Sequence, residues 1–362
     1  MSAQDIPGAP CGQQIARLDV ALTRAREFLV ARQDQAGRWV DFELPVGRAT
    51  AWTTAYVATM LAPGPAARLA VQRAGRWLVA AYRPGQAGPR GQPLPGGWGY
   101  NEQVPPDGDS TAWALLALAA AGLAPTDAMR WALTSYRLFS GLYRTYADRL
   151  AVDTWTAPHV DVTAVALQAL LTMGTAEARP IEVTVERLLE RAARGEWHAY
   201  WWADDAYAAA QALQALADFR RWCAGTGYGA GGHPAEARVA PLLRGVDELL
   251  DAYRQQAGWV AAGDEPFGAA LRVRAWAAIG GAMAVAWPPV ERLLAAQAAD
   301  GRWPGGPKLR LTHHDSQQPW ATPGSGVLYA DVADIFTTAT VVGALHLVRG
   351  RLATAAATSR FG

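Results

Sequence analysis

Asp107 and Asp109 stand one residue apart in Pro105-Pro106-Asp107-Gly108-Asp109-Ser110-Thr111-Ala112-Trp113, directly ahead of an apolar run. Burial and a second carboxyl close by both raise a carboxyl pKa, so a pair like this can keep one acid protonated at neutral pH. An acid of that kind can serve as a catalytic general acid. The same two residues can also be helix caps, because Asp near a helix N-terminus satisfies free N–H groups and suits the dipole. Other apolar runs have acids before them too: Asp161 ahead of 162–174, Asp204 and Asp205 ahead of 206–219, and Asp331 and Asp334 ahead of 335–348. His159 lies two residues before Asp161, and the aromatic run Tyr200-Trp201-Trp202 precedes Asp204. Catalysis, capping, and substrate or metal binding are all open to these acids.

The elements that must position them recur along the chain. Segments 50–61, 110–122, 162–174, 206–219 and 337–348, with a looser one at 267–281, are rich in Ala and Leu and apolar almost all round. Such helices are buried on every side. Between them lie amphipathic helices with one apolar stripe: 15–33, 67–82, 126–139, 183–194, 235–253 and 289–297. The order is outer then inner, six times, at the roughly 45 to 65 residues of a helical-hairpin repeat. This predicts an all-α fold, an (α/α)6 barrel over 1–362, with tails at 1–13 and 351–362. An open solenoid is the alternative. Parallel inner helices would bring the acids to one rim of a cavity. Strand alternation is not prominent, and the long Gly/Pro-rich connection 301–330, which holds His313, His314, Asp315 and Trp320, is a candidate lid.

Composition excludes several classes. The 362 residues carry 33 Lys plus Arg against 32 Asp plus Glu, a net charge of +1, so no basic excess points to nucleic acid. Only Cys11 and Cys223 occur, in no disulfide or metal spacing, which fits a reducing, cytoplasmic setting. No secretory leader is visible, and the longest apolar stretch, 275–290, is interrupted by Gly280, Gly281 and two prolines.

Tryptophans follow the outer helices in a set frame. Gln33, Gly37 and Trp39 are echoed by Gln297, Gly301 and Trp303, and in part by Gly97-Trp98, Gly195-Glu196-Trp197 and Gly258-Trp259. The Gly permits the turn ending the helix, and the Trp is expected to stack back with its ring edge toward the Gln amide. This repeat resembles the QW motif of squalene-hopene cyclases, oxidosqualene cyclases and class II diterpene cyclases. Related barrels include protein prenyltransferase β-subunits. The acid motif of the cyclases, Asp-x-Asp-Asp-Thr-Ala, is similar to Asp107-Gly108-Asp109-Ser110-Thr111-Ala112, with Ser110 in place of the third acid.

The resemblance implies a class II terpene cyclase of isomerase or lyase type. Asp109 would be the general acid that protonates a linear isoprenoid or an isoprenoid-bearing substrate, and Asp107 and His159 would tune it. Trp52, Trp113, Asp161, Trp201, Trp202, Asp205, Tyr207 and Trp320 would line the substrate site, the aromatic faces steadying cations. No metal and no cofactor is implied, except Mg2+ if the substrate is a diphosphate; Asp204-Asp205-Ala206-Tyr207 does not complete the metal-binding acid motif of ionisation-dependent cyclases. Zinc at His313, His314 and Asp315 is a separate option. Because family members usually set the site between two barrels, a homodimer or a second-barrel partner is expected, and an apolar substrate brings peripheral membrane contact. Two other readings stand beside this one: a non-catalytic barrel holding an isoprenoid, and a carbohydrate-active (α/α)6 enzyme using two rim carboxylates.

Overall fold

The computed structural model describes residues 11–88, 91–147, 153–174, 178–263 and 265–358. Outer and inner helices alternate as the hydropathy pattern predicts. The pairs are α1 (Cys11–Ala31) with α2 (Ala51–Leu61), α3 (Arg68–Ala80) with α4 (Gly108–Ala120), α5 (Asp127–Thr134) with α6 (Val160–Met173), and α7 (Arg179–Ala193) with α8 (Ala206–Thr226). Then α9 (Glu236–Arg254), followed by the short α10 (Ala257–Ala261), pairs with α11 (Pro266–Ala278), and α12 (Met283–Ala295) with α13 (Ile335–Thr358). The inner helices form a closed ring: α2 packs on α4, α4 on α6, α6 on α8, α8 on α11, α11 on α13, and α13 back on α2. Their lack of an amphipathic face is explained by this position, since α4 is buried from Ser110 to Leu118.

Closure is clasped by a residue from the far end of the chain. The Asp41 carboxylate accepts bonds from the amides of Ala333 (2.9 Å), Ile335 (2.9 Å) and Phe336 (3.0 Å), capping α13. Burial pushes this carboxyl up to about 6, the nearby Asp331 adds to the push, and the amides pull against it.

The tryptophan frame works differently from the expected ring-to-amide contact. The Trp39 indole N–H donates to the Leu29 carbonyl at 2.7 Å and that of Trp303 to Leu293 at 2.6 Å. Trp98 and Trp197 repeat the bond on Leu78 (2.8 Å) and Leu188 (3.1 Å). The Gln side chains reach elsewhere. Gln33 donates to Gly37 and to Ala70 of the next outer helix, and Gln297 to Gly301 and to Ala21 of α1. Each Gln therefore ties neighbouring outer helices, and each Trp pins its own helix end. The inner layer is joined by threonines: Thr54, Thr111 and Thr338 accept from the backbone amides of Trp39, Trp98 and Trp303.

Among the described residues three short antiparallel hairpins join the helices of this all-α barrel: β1 (Asp41–Leu44) with β2 (Gly47–Ala49), β3 (Gln86–Ala87) with β4 (Pro93–Leu94), and β5 (Pro307–Thr312) with β6 (Gly326–Ala330). Much of the expected lid loop is thus the β5–β6 hairpin. It is fixed by a buried ion pair, Lys308 Nζ to Asp331 Oδ1 at 2.6 Å, with a further bond to Thr337 of α13. Its backbone also joins the segment before α8, Arg310 donating to the Trp201 carbonyl and Ala203 to that of Lys308. The C-terminal tail expected from 351 is instead the last part of α13, with Leu352 buried. At the other end residues 11–13 already belong to α1; 1–10 and 359–362 lie outside the described residues. Cys223 lies within α8 and is buried.

Candidate active site

The start of α4 separates the two roles open to the acid pair. Asp107 is the N-cap: its backbone is extended (φ −134°, ψ 162°) and its carboxylate accepts from the Ser110 amide and hydroxyl, both at 2.7 Å. Ser110, the departure from the three-acid motif, is the partner that completes this cap. Gly108 lets the chain come close here, since a Cβ on it would lie 2.4 Å from the Arg144 carbonyl oxygen. Burial raises the Asp107 carboxyl to about 6, against its bonds to Ser110.

Asp109 does no capping. Its Oδ2 accepts from the Trp52 indole N–H at 3.0 Å, while Oδ1 is sealed from solvent with no bonded partner. Trp113, one turn along the same face of α4, and Tyr207 on α8 likewise hold buried polar atoms without a bonded partner. Burial, then the charges of Asp107 and Asp161, hold the Asp109 carboxyl well above the usual carboxylate range. The residue is half-buried and lines a cavity of roughly 190 Å³.

That cavity is walled by aromatic rings. Trp52, Tyr100, Tyr146, Trp155, Trp201 and Trp202 line it, together with Asp107, Asp109, Asp161 and the β5 residues Leu309, Arg310 and Leu311. Behind them the rings continue: Trp52 lies 4.9 Å from Phe336, and Trp202 4.2 Å from Tyr207 and 5.1 Å from Phe267. Asp161 accepts from its neighbour's amide at 3.0 Å, and burial pushes its carboxyl up to about 7.

Of the site residues expected from sequence, Asp107, Asp109, Trp52, Asp161, Trp201 and Trp202 meet in this cavity. Trp113 and Tyr207 lie behind its wall, fully buried. Three are placed elsewhere. His159 packs on Tyr200 at 4.2 Å, and its Nε2 is bonded to the Thr154 carbonyl. Burial lowers its pKa to about 4, and among the described residues no hydrogen bond or ion pair joins it to Asp109. Asp205 is engaged by His198 at 2.7 Å and the Ala199 amide, and Trp320 stacks on His198 at 4.7 Å. His159 and Trp320 border a separate, wider cleft of roughly 650 Å³. Arg310, Tyr146 and Trp155 were missed. The polar-apolar alternation of Lys308-Leu309-Arg310-Leu311-Thr312 was the available sign of a strand that brings Arg310 to the cavity. No group of three or more His, Cys, Asp or Glu that could hold a metal ion occurs among the described residues.

No family model matches the chain, nor does any curated protein. Solved structures do. The type II terpene cyclase MstE from Scytonema, in complex with geranylgeranyl dihydroxybenzoate, is 24% identical with a TM-score of 0.72, over 93% of this chain and 99% of that one. The apo form of MstE is 26% identical with a TM-score of 0.72 over the same shares. A protein from Actinoplanes is 27% identical with a TM-score of 0.68, over 91% and 99% of the two chains. The chain therefore has the fold of a type II terpene cyclase, in a single barrel.

Proposed function

We propose that this chain is a class II-type terpene cyclase: it starts the cyclisation of a linear isoprenoid, or of a substrate bearing one, by protonation, with Asp109 as general acid. One observation carries the reading. The Asp109 carboxyl, which burial raises well above the usual carboxylate range, faces an aromatic-walled cavity and not the amides of its own helix. In the first step its O–H bond breaks as the π electrons of the terminal alkene form a C–H bond, leaving a tertiary cation and the Asp109 carboxylate. The Trp52 N–H steadies that carboxylate. The next alkene attacks the cation, rings form in sequence, and a carbon gives a proton to solvent, which ends the reaction; solvent returns a proton to Asp109. Trp52, Trp201 and Trp202 offer their faces to the travelling charge. The ligands of MstE, geranylgeranyl dihydroxybenzoate and, in another structure, the product merosterolic acid A, support an isoprenoid-bearing substrate here.

The test is incubation with linear C15, C20 and C30 isoprenoids and prenylated benzoates, with cyclised products read by mass spectrometry. Asp109→Asn should lose product by about 10²- to 10⁴-fold while still binding substrate. Equal product from wild type and Asp109→Asn sinks the assignment, and tight binding with no product from wild type leaves a binding barrel.

A further inference from the structure

Among the described residues, Arg310 is a buried cation with no ion-pair partner. It is 8% exposed and lines the same cavity as Asp109. Its Nη1 donates to the carbonyls of Ala199 (3.2 Å) and Tyr200 (3.3 Å), and no carboxylate of the described residues comes within ion-pair distance. Among the described residues its Nε and Nη2 have no hydrogen-bond partner, yet they are not among the sealed, unsatisfied atoms, so they keep some surface in a residue that lines the cavity. The charges acting on it are those of Asp205, Tyr200 and Asp161, with burial drawing its pKa down. Asp205 is bonded to His198 and the Ala199 amide, and Asp161 to the Val162 amide. An arginine this deep costs several kcal/mol unless an anion meets it.

We infer that Arg310 receives an anionic head group of the substrate, and that this group is a carboxylate. The inference rests on the isoprenoid reading of the cavity and narrows it to prenylated acids. A guanidinium with one free N–H edge matches a singly charged, planar carboxylate. A diphosphate carries more charge than one arginine balances. It would also sit in a cavity lined by Asp107, Asp109 and Asp161, with no further Lys or Arg in its wall. The aromatic cluster of Tyr146, Trp155 and Trp201, with ring centroids 5.5 to 6.5 Å apart, offers apolar cover around the head.

The test is binding, measured by tryptophan fluorescence and calorimetry on the Asp109→Asn protein so that no turnover intervenes. The probes are farnesoic acid, methyl farnesoate and farnesyl diphosphate. The acid should bind at least tenfold more tightly than its ester, and more tightly than the diphosphate. Arg310→Gln should erase the preference for acid over ester and leave the ester's affinity within about twofold. Arg310→Lys, which keeps the charge and loses the fork, should retain part of it. Equal binding of acid and ester to protein with Arg310 intact overturns the assignment without reference to any variant. Tighter binding of the diphosphate overturns the carboxylate in favour of a phosphate head. If the ester fails to bind at all, the isoprenoid reading falls, and this inference with it. Loss of ester binding in Arg310→Gln alone would show a damaged cavity; the acid-to-ester ratio of Arg310→Lys then decides, a ratio equal to that of the intact arginine refuting the role of the fork.

Discussion

Replacing Asp161 with Asn should stabilise the protein at alkaline pH and leave it little changed in acid. Asp161 is 2% exposed and lines the cavity. Burial, with the Asp205 charge adding to it, moves its carboxyl from 3.8 to about 7. A carboxyl whose folded pKa lies above its unfolded one holds its proton longer in the folded state. As pH rises the unfolded chain loses that proton first, so stability falls from about pH 4 to about pH 7 and stays at its low value above that. Three units at about 1.4 kcal/mol each give about 4 kcal/mol as the upper bound. Asn carries no such cost, and its amide oxygen can accept the Val162 amide as the carboxylate does at 3.0 Å. Urea unfolding at pH 4, 6 and 8 should show the variant ahead by about 2 to 4 kcal/mol at pH 8 and by under about 0.5 kcal/mol at pH 4. Equal gains at pH 4 and pH 8 would refute the reasoning, because they would trace the effect to packing. The Asp161 charge is also among those raising Asp109, so the same substitution should move the alkaline limb of the pH–rate profile to lower pH.

Trp52→Phe keeps the ring and removes the N–H on Asp109. Turnover should drop roughly 10- to 150-fold, the worth of a hydrogen bond to a charged acceptor, with substrate affinity changed less than about threefold. An unchanged turnover number in single-turnover assays would dismiss the bond. Lys308→Met strands the Asp331 carboxylate at the root of the β5–β6 hairpin and should cost about 3 to 5 kcal/mol in denaturant unfolding at pH 8. A loss under about 1 kcal/mol would show that the pair does little to hold the hairpin.

The inner helices were plain in the sequence because they are apolar on every side, and so were the outer ones because they are not. Asp109 stood out by its motif, but only the backbone at Asp107 shows which acid caps the helix. What escaped the sequence was mostly carried by long-range packing. The alternation of β5 lies inside a long Gly/Pro-rich connection, and the hairpin buries Lys308 and Arg310, whose partners come from distant segments. Asp41 gave no local sign of capping a helix nearly three hundred residues away. His159 was placed beside the acid by helix order alone, and its packing on Tyr200 and Trp201 sets it in another cleft, which Trp320 of the long connection also borders.

The clasp of Asp41 on α13 also sets an order of events. The contacts joining α13 to α1 and α2 span almost the full sequence, and such contacts pay the greatest loop-closure entropy and form late. Until α13 seats, Phe336 does not stand against Trp52, Tyr56 and Trp202, and the inner ring is open to water. A hydrated Asp109 is then an ordinary ionised aspartate. The strength of the acid is thus a property of the completed ring, and a chain that has built five of its six helix pairs holds every residue of the Asp107–Asp109 motif without the environment that keeps its proton.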